Sequence, residues 1–292
     1  MVSRALLASN VLAHHPSYLY SPFGSLYLKY ESARMKHLHL GSISPVLCAG
    51  EFYMYPDHED TNPGVSSSIV LRGGLYEPEA SLVLRQLLKE GSNFMDIGAN
   101  IGWYTLLASR KVGPSGRVVS CEPEPHNFQV MERSVKLNRL GNVTLVQKCL
   151  SDRNGQFALH LSSKNAGGHS IVKGTGDGRE IIVESTTIDE LCGRMKLPGV
   201  DVLKIDAESA EPLILSGANN LFQSGQPAAI VMEYSPEAWE GYSELLSILF
   251  DEFIVFEIRN NVIRPTKTSD LPGKRQALLL LLRKLCIRKE TS

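Results

Sequence analysis

None of the five cysteines, Cys48, Cys121, Cys149, Cys192 and Cys286, is spaced as C-x-x-C, and their number is odd. That pattern offers neither a disulfide framework nor a zinc site, and it fits reduced thiols in a cytoplasmic protein. Charge of one sign is lacking too: 30 Lys and Arg stand against 31 Asp and Glu, with no long basic block. Nothing in that balance predicts binding along a nucleic-acid backbone, so a small molecule is the expected partner. Long hydrophobic runs are also missing. The most conspicuous, Ala277–Leu282, is far short of the roughly 20 residues that cross a bilayer. It reads as a buried last strand, and peripheral membrane contact through Arg283, Lys284, Arg288 and Lys289 is the lesser reading. The stretch Met1–Asn10 is only faintly signal-like, because its apolar part is short and broken by polar residues.

What the chain does have is a change of texture near residue 65. Residues 1–65 are rich in Tyr, His, Pro and Ser without sustained periodicity, and they read as an N-terminal arm. From 66 to 292, short apolar runs alternate with helical patterns, which predicts an α/β domain built on a mostly parallel sheet with helices on both faces. Strands are expected at Asn93–Asp96, Arg117–Glu122, Val143–Gln147, Asp201–Asp206 and Ala228–Glu233. Pro78 suits the first turn of a helix running to Gly91, expected to cover the edge of the sheet. An insert at about 156–184 breaks the rhythm and looks like a hairpin. Phe253–Ile258 and Ala277–Leu282 then pair as the antiparallel end of the sheet.

The strongest signal is Phe94-Met-Asp-Ile-Gly-Ala-Asn-Ile-Gly-Trp-Tyr-Thr105. A strand ends at Asp96, a turn carries Gly98 and Gly102, and an apolar helix follows. Glycines there permit positive φ and close approach of a ligand to the backbone. Glu122 ends the next strand twenty residues after Gly102, where a carboxylate can accept both ribose hydroxyls. The two together argue for an adenosine cofactor. The G-x-G-x-x-G fingerprint of dinucleotide folds is absent, and Asp96 would repel a pyrophosphate while attracting an ammonium and a sulfonium. S-adenosyl-L-methionine, with S-adenosyl-L-homocysteine as product, is therefore expected over NAD.

These segments, together with Glu122-Pro123, Lys204-Ile-Asp-Ala-Glu-Ser-Ala-Glu211 and Gly74-Leu-Tyr-Glu-Pro78, resemble the FkbM-type methyltransferase family over about residues 50–285. The resemblance implies a Rossmann-like class I methyltransferase fold with a seven-stranded sheet. It assigns the cofactor to Asp96, Gly98, Asn100, Gly102, Tyr104, Glu122, Pro123 and Asp206. It also sets Ser151 and Asp152 beside the adenine and closes Tyr76 and Glu77 over the methionine end. The chain departs from the family pattern at Ser209, where glycine is usual, and at Ala207.

An alcohol is a poor nucleophile, so a base or a metal should help remove its proton. Lys204, Asp206 and Glu208 are spaced by two and would share a face in extended chain, with Glu233 ending the neighbouring strand. Two readings stand for this group: catalysis or acceptor binding, and capping of a helix that begins near Glu211-Pro212. His169, in the loop of the insert, has an imidazole suited to general-base work. His126 is expected to be structural, and His14, His15, His37 and His39 lack ligand-like surroundings. No metal is assigned. The Asp/Asn-Pro-Pro-aromatic sequence of amino-directed enzymes is absent, which leaves oxygen as the nucleophile. By resemblance the acceptor is a hydroxyl of a sugar, glycolipid or secondary metabolite. An NAD-dependent oxidoreductase, or an idle cofactor-binding scaffold, remains the alternative, and a homodimer through the arm is one use of its aromatic content.

Overall fold

The computed structural model describes residues 45–57, 65–72, 74–162, 167–172, 178–259, 262–271 and 276–284. His14, His15, His37, His39, Cys286, Arg288 and Lys289 lie outside them. A short hairpin, β1 (Val46–Cys48) and β2 (Phe52–Met54), precedes helices α1 (Val65–Leu71) and α2 (Pro78–Leu87). Then come β3 (Asn93–Ile97), α3 (Trp103–Val112), β4 (Arg117–Cys121), α4 (Pro125–Leu137) and β5 (Val143–Val146). The insert holds β6 (Cys149–Leu150), β7 (Gly155–Leu161) and β8 (Arg179–Thr186), and it is followed by α5 (Ile188–Met195) and β9 (Val202–Ile205). Two short helices, α6 (Glu211–Ser216) and α7 (Asn219–Gln223), lead to β10 (Ala229–Tyr234). Last are α8 (Ser243–Glu252), β11 (Phe253–Arg259), β12 (Val262–Pro265) and β13 (Ala277–Arg283).

The main sheet runs β12-β11-β13-β10-β9-β3-β4-β5. Strands β5, β4, β3, β9 and β10 are parallel, and β13 pairs antiparallel with β11, as the sequence predicts, while also pairing antiparallel with β10 on its other side. The strand order reverses between β3 and β9, which opens a crevice at their carboxyl ends, where α/β sheets bind ligands. The sheet has eight strands, not seven, because the exposed β12 pairs onto β11 as an extra edge.

Alternation along each strand feeds two cores. Phe94, Val118, Val202, Val231 and Leu280 face a layer with the hairpin, α2, α3 and α4. Met95, Val119, Leu203, Ile230 and Leu281 face the other layer, with α5, α6, α7 and α8. A strand buried on both faces reads as a continuous apolar run, which is why these were visible in the sequence. Helix α2 differs from expectation: it lies beside α3 and across β10 and β11, on a face of the sheet and not at its edge. The insert is more than a hairpin, since β6 pairs parallel to β8 and makes a separate three-stranded sheet. Arg283 is bound to Glu252 and to the carbonyls of Gln226 and Pro227, so it is engaged within the fold. Among the described residues no helix is long and apolar enough to cross a membrane.

Candidate active site

The glycine turn after β3 is built for close approach. Gly98 has φ +72°, and a Cβ there would meet the Asp206 carbonyl oxygen at 1.8 Å. Gly102, at φ +93°, sits against Met131, whose Cγ would lie 2.7 Å from an added Cβ. The N–H groups of Gly98 and Ala99 both bond the Cys121 carbonyl at 3.0 Å, which pins the turn to the end of β4. Glu122, the next residue, is buried and accepts the N–H of Asn100 on Oε2 (2.8 Å) and that of Glu124 on Oε1 (2.9 Å). Burial raises its pKa to about 7 against these stabilising bonds.

A cleft opens here. Gly98, Asn100, Glu122, Pro123, Asp206, Glu208 and His169 line it, so seven of the residues singled out in the sequence share one cavity. Its apolar walls include Ile97, Leu150, Leu159, Ile171 and Ile214. Sequence reading missed Asn127, Lys148, Cys149 and Ser170. Asn127 alone carried a signal, since it follows Glu124-Pro125 at a helix start, and Glu124 Oε2 accepts its N–H at 2.6 Å. Ser151 and Asp152 do not line the cleft: the buried Ser151 hydroxyl donates to Asp152, which pairs with Arg153. These residues and distances suit an adenosine: a diol acceptor at Glu122, a Cβ-free turn and an apolar slot.

A second cluster sits at the strand termini beside the cleft. Register aligns Asp96 on β3 with Lys204 on β9. Lys204 Nζ lies 3.6 Å from Asp96 Oδ1, 3.4 Å from Asp206 Oδ2 and 3.3 Å from the Gly98 carbonyl, with the Tyr104 ring 4.9 Å away. Burial alone would lower the Lys204 pKa, but Asp206, Asp96 and Glu77 outweigh it and raise it, so the ammonium is fixed. Asp96 is wholly buried, and Thr105 Oγ1 donates to its Oδ2 at 2.8 Å. It therefore holds Lys204 and Thr105 beneath the cleft and does not line it. The Tyr104 hydroxyl donates to Glu77, and the Tyr104 and Tyr76 rings meet edge-on at 6.4 Å. Glu77, at φ 36°, is pushed up by burial and by Asp206.

Asp206, Glu208 and Glu233 each place a carboxylate oxygen within 4.8 Å of the others, close enough to grip a cation or to share protons. Burial, then Asp206, raises Glu208 to about 7, and burial, then Asp206 and Glu208, raises Glu233 to about 8. Extended chain brings Lys204 and Asp206 to one face, but the strand ends at Ile205, and Glu208 arrives through a turn at φ 50°. The capping alternative is not realised by Asp206 or Glu208. The residue before α6 is Ala210, with no side-chain cap, and Glu211 Oε1 instead accepts the Ala207 N–H at 2.9 Å. Ser209 has φ 77°, which explains why glycine suits this position.

His169 lines the cleft, but its Nδ1 accepts the Ser162 N–H at 3.0 Å. The proton of a neutral ring bonded in this way sits on Nε2, which makes that nitrogen a donor. The sequence reading of His169 as a base therefore meets a ring whose acceptor nitrogen is already used. His126 pairs with Asp57 at 2.8 Å.

A family model described as the methyltransferase FkbM domain matches residues 96–258, more than half of the 292. Three relatives bear on it. A methyltransferase 1 of Beauveria bassiana is 26% identical over 45% of this chain and 60% of its own length. A hexuronic acid methyltransferase, AglP, of Haloferax volcanii is 30% identical over 49% of this chain and 57% of its own. A 2-O-methyltransferase, NoeI, of Sinorhizobium fredii is 25% identical over 60% and 79%. The chain thus spans about three fifths of the length of the first two. With its reversal of strand order and its glycine turn, and with the family model across that same region, the chain belongs to the FkbM methyltransferase family, whose methyl donor is S-adenosylmethionine.

Proposed function

We propose that the protein is an S-adenosylmethionine-dependent O-methyltransferase acting on a hydroxyl of a sugar, glycolipid or secondary metabolite. The convergence of Asp206, Glu208 and Glu233 beside the cofactor cleft carries this reading. Carboxylates whose pKa values are lifted to about 7 and about 8 are tuned to take a proton near neutral pH. Relatives named as a hexuronic acid methyltransferase and a 2-O-methyltransferase support sugar oxygen as the target. The cluster of carboxylates beside Lys204 favours an uncharged acceptor over a uronate.

S-adenosylmethionine supplies an electrophilic methyl group on a cationic sulfur. Glu122 would hold the ribose hydroxyls, the Gly98–Gly102 turn would pass close under the cofactor, and Glu77 with Tyr76 would face its ammonium. Glu233, assisted by Glu208, would take the proton of the acceptor hydroxyl as oxygen attacks in line with the sulfur. Lys204 stays protonated and pairs with Asp206. His169 Nε2–H would donate to an acceptor oxygen and orient it.

Calorimetric titration with S-adenosylmethionine, S-adenosylhomocysteine and NAD comes first. Micromolar binding of the first two and none of NAD is expected, followed by a one-methyl mass gain on methyl glucoside exceeding that on methyl glucuronide. Binding of NAD alone would overturn the cofactor reading. Full turnover in Glu233→Gln would overturn the assignment of the base.

A further inference from the structure

The turn from Asp206 to Ala210 leaves β9 in an unfavourable form. Glu208 and Ser209 are consecutive residues in the left-handed region, at φ 50° and 77°, a conformation that side-chain-bearing residues hold only when surroundings impose it. Three separate parts of the chain do so. The Ile97 carbonyl accepts the Asp206 N–H at 3.1 Å. Glu211, 0% exposed, accepts the Ala207 N–H at 2.9 Å. Ser170, 1% exposed, donates its hydroxyl to the Glu208 carbonyl at 2.5 Å.

Ser170 is itself firmly seated. Its N–H donates to the His160 carbonyl at 3.1 Å, its carbonyl accepts the His160 N–H at 2.8 Å, and its Oγ accepts the Val172 N–H at 3.0 Å. The neighbouring residue is His169, which lines the cleft with Glu208. One buried hydroxyl therefore ties the insert, through β7, to the turn that carries the carboxylates. Nothing in the spacing of Ser170 and Glu208, 38 positions apart, announces this link.

We propose that Ser170 and Glu211 are positioning residues: together they hold the Asp206–Glu208 turn in its left-handed form, and Ser170 couples that turn to the insert loop bearing His169. The inference rests on the reading that Glu208 and Glu233 handle the acceptor's proton. Both residues act through backbone groups, Glu211 through the Ala207 N–H and Ser170 through the Glu208 carbonyl. Their worth to the reaction is geometric, since a misplacement of about 1 Å at a reacting group costs on the order of 100-fold in rate.

Hydrogen exchange on the full chain tests it, comparing Ser170→Ala with Ser170→Thr, and Glu211→Ala with Glu211→Gln, which keeps an acceptor for the Ala207 N–H. Loss of the Ser170 hydroxyl is expected to speed exchange about tenfold in both the 204–212 and 167–172 segments. Glu211→Ala should do so in 204–212 only, and Glu211→Gln and Ser170→Thr should remain near wild type. S-adenosylhomocysteine affinity should hold within about threefold in the two Glu211 variants, the size of a weak hydrogen bond. Unchanged exchange in both alanine variants would overturn the proposal. So would equal acceleration in β4 and α3, which would mark general destabilisation, or failure of both conservative variants to rescue. Methyl transfer by Glu208→Gln and Glu233→Gln is measured alongside: full turnover there sinks the proton-handling reading while leaving the exchange result to judge the latch.

Discussion

The two ends of the site are made differently. At the end proposed for adenosine one carboxylate, Glu122, is bound by two backbone N–H groups within the local segments 98–102 and 122–124. At the other end Glu77, Asp206, Glu208 and Glu233 come from α2's leading turn, the β9 turn and β10, and repel one another around the Lys204 ammonium. The first end is satisfied before any ligand arrives, as a binding surface should be. The second buries carboxylates close together, and burial first, then their mutual repulsion, lifts pKa values into the range where protons move at neutral pH.

The contrast breaks most completely if Gly98 can be replaced. Gly98→Ala puts a methyl group at the Asp206 carbonyl, and cofactor affinity by calorimetry is expected to fall roughly 100-fold or more. Glu233→Gln is next: kcat should drop on the order of 100-fold with cofactor affinity almost unchanged, separating chemistry from binding. Its counterpart, Glu122→Gln, should weaken cofactor binding about tenfold through loss of a charged acceptor, with a smaller effect on kcat.

pH sharpens the same comparison. Glu122, Glu208 and Glu211 are raised from 4.5 to about 7 and Glu233 to about 8, so the folded chain holds protons that the unfolded chain has released. That stabilisation is complete below about 4.5 and is lost as pH rises through 7 to 8. With Glu233 as the proposed base, turnover requires it deprotonated and should climb over the same interval. Melting temperature and rate measured from pH 5 to 9 should therefore slope in opposite directions, and parallel slopes would remove the carboxylates from both roles. The smallest effect belongs to Ser209→Gly. It relieves a left-handed serine at some cost in unfolded-state entropy, and about 0.5 kcal/mol of added stability in denaturant unfolding is expected.

Much of the adenosine end was legible because its logic is local. Strand, glycine turn, helix and acid follow one another from Phe94 to Glu122, and the apolar runs of β3, β4, β9 and β10 need no partner to be seen. The resemblance of four ordered motifs then supplied the family. The insert was legible as two alternating segments, but its third strand, β6, is only Cys149–Leu150, too short to show a period. Ser151 and Asp152, expected beside the adenine, do not line the cleft, whereas the preceding Cys149 and Leu150 do.

The sequence by itself determined the strand, glycine turn and helix, since positive φ at glycine and apolar alternation are properties of neighbouring residues. Tertiary structure alone assembled the carboxylate cluster. Sheet order places β9 beside β3 although 105 residues separate Ile97 from Val202, and only that pairing sets Lys204 opposite Asp96. Side chains so far apart in the chain acquire raised pKa values and a fixed ammonium only through burial at short distance, and burial is a property of the packed whole.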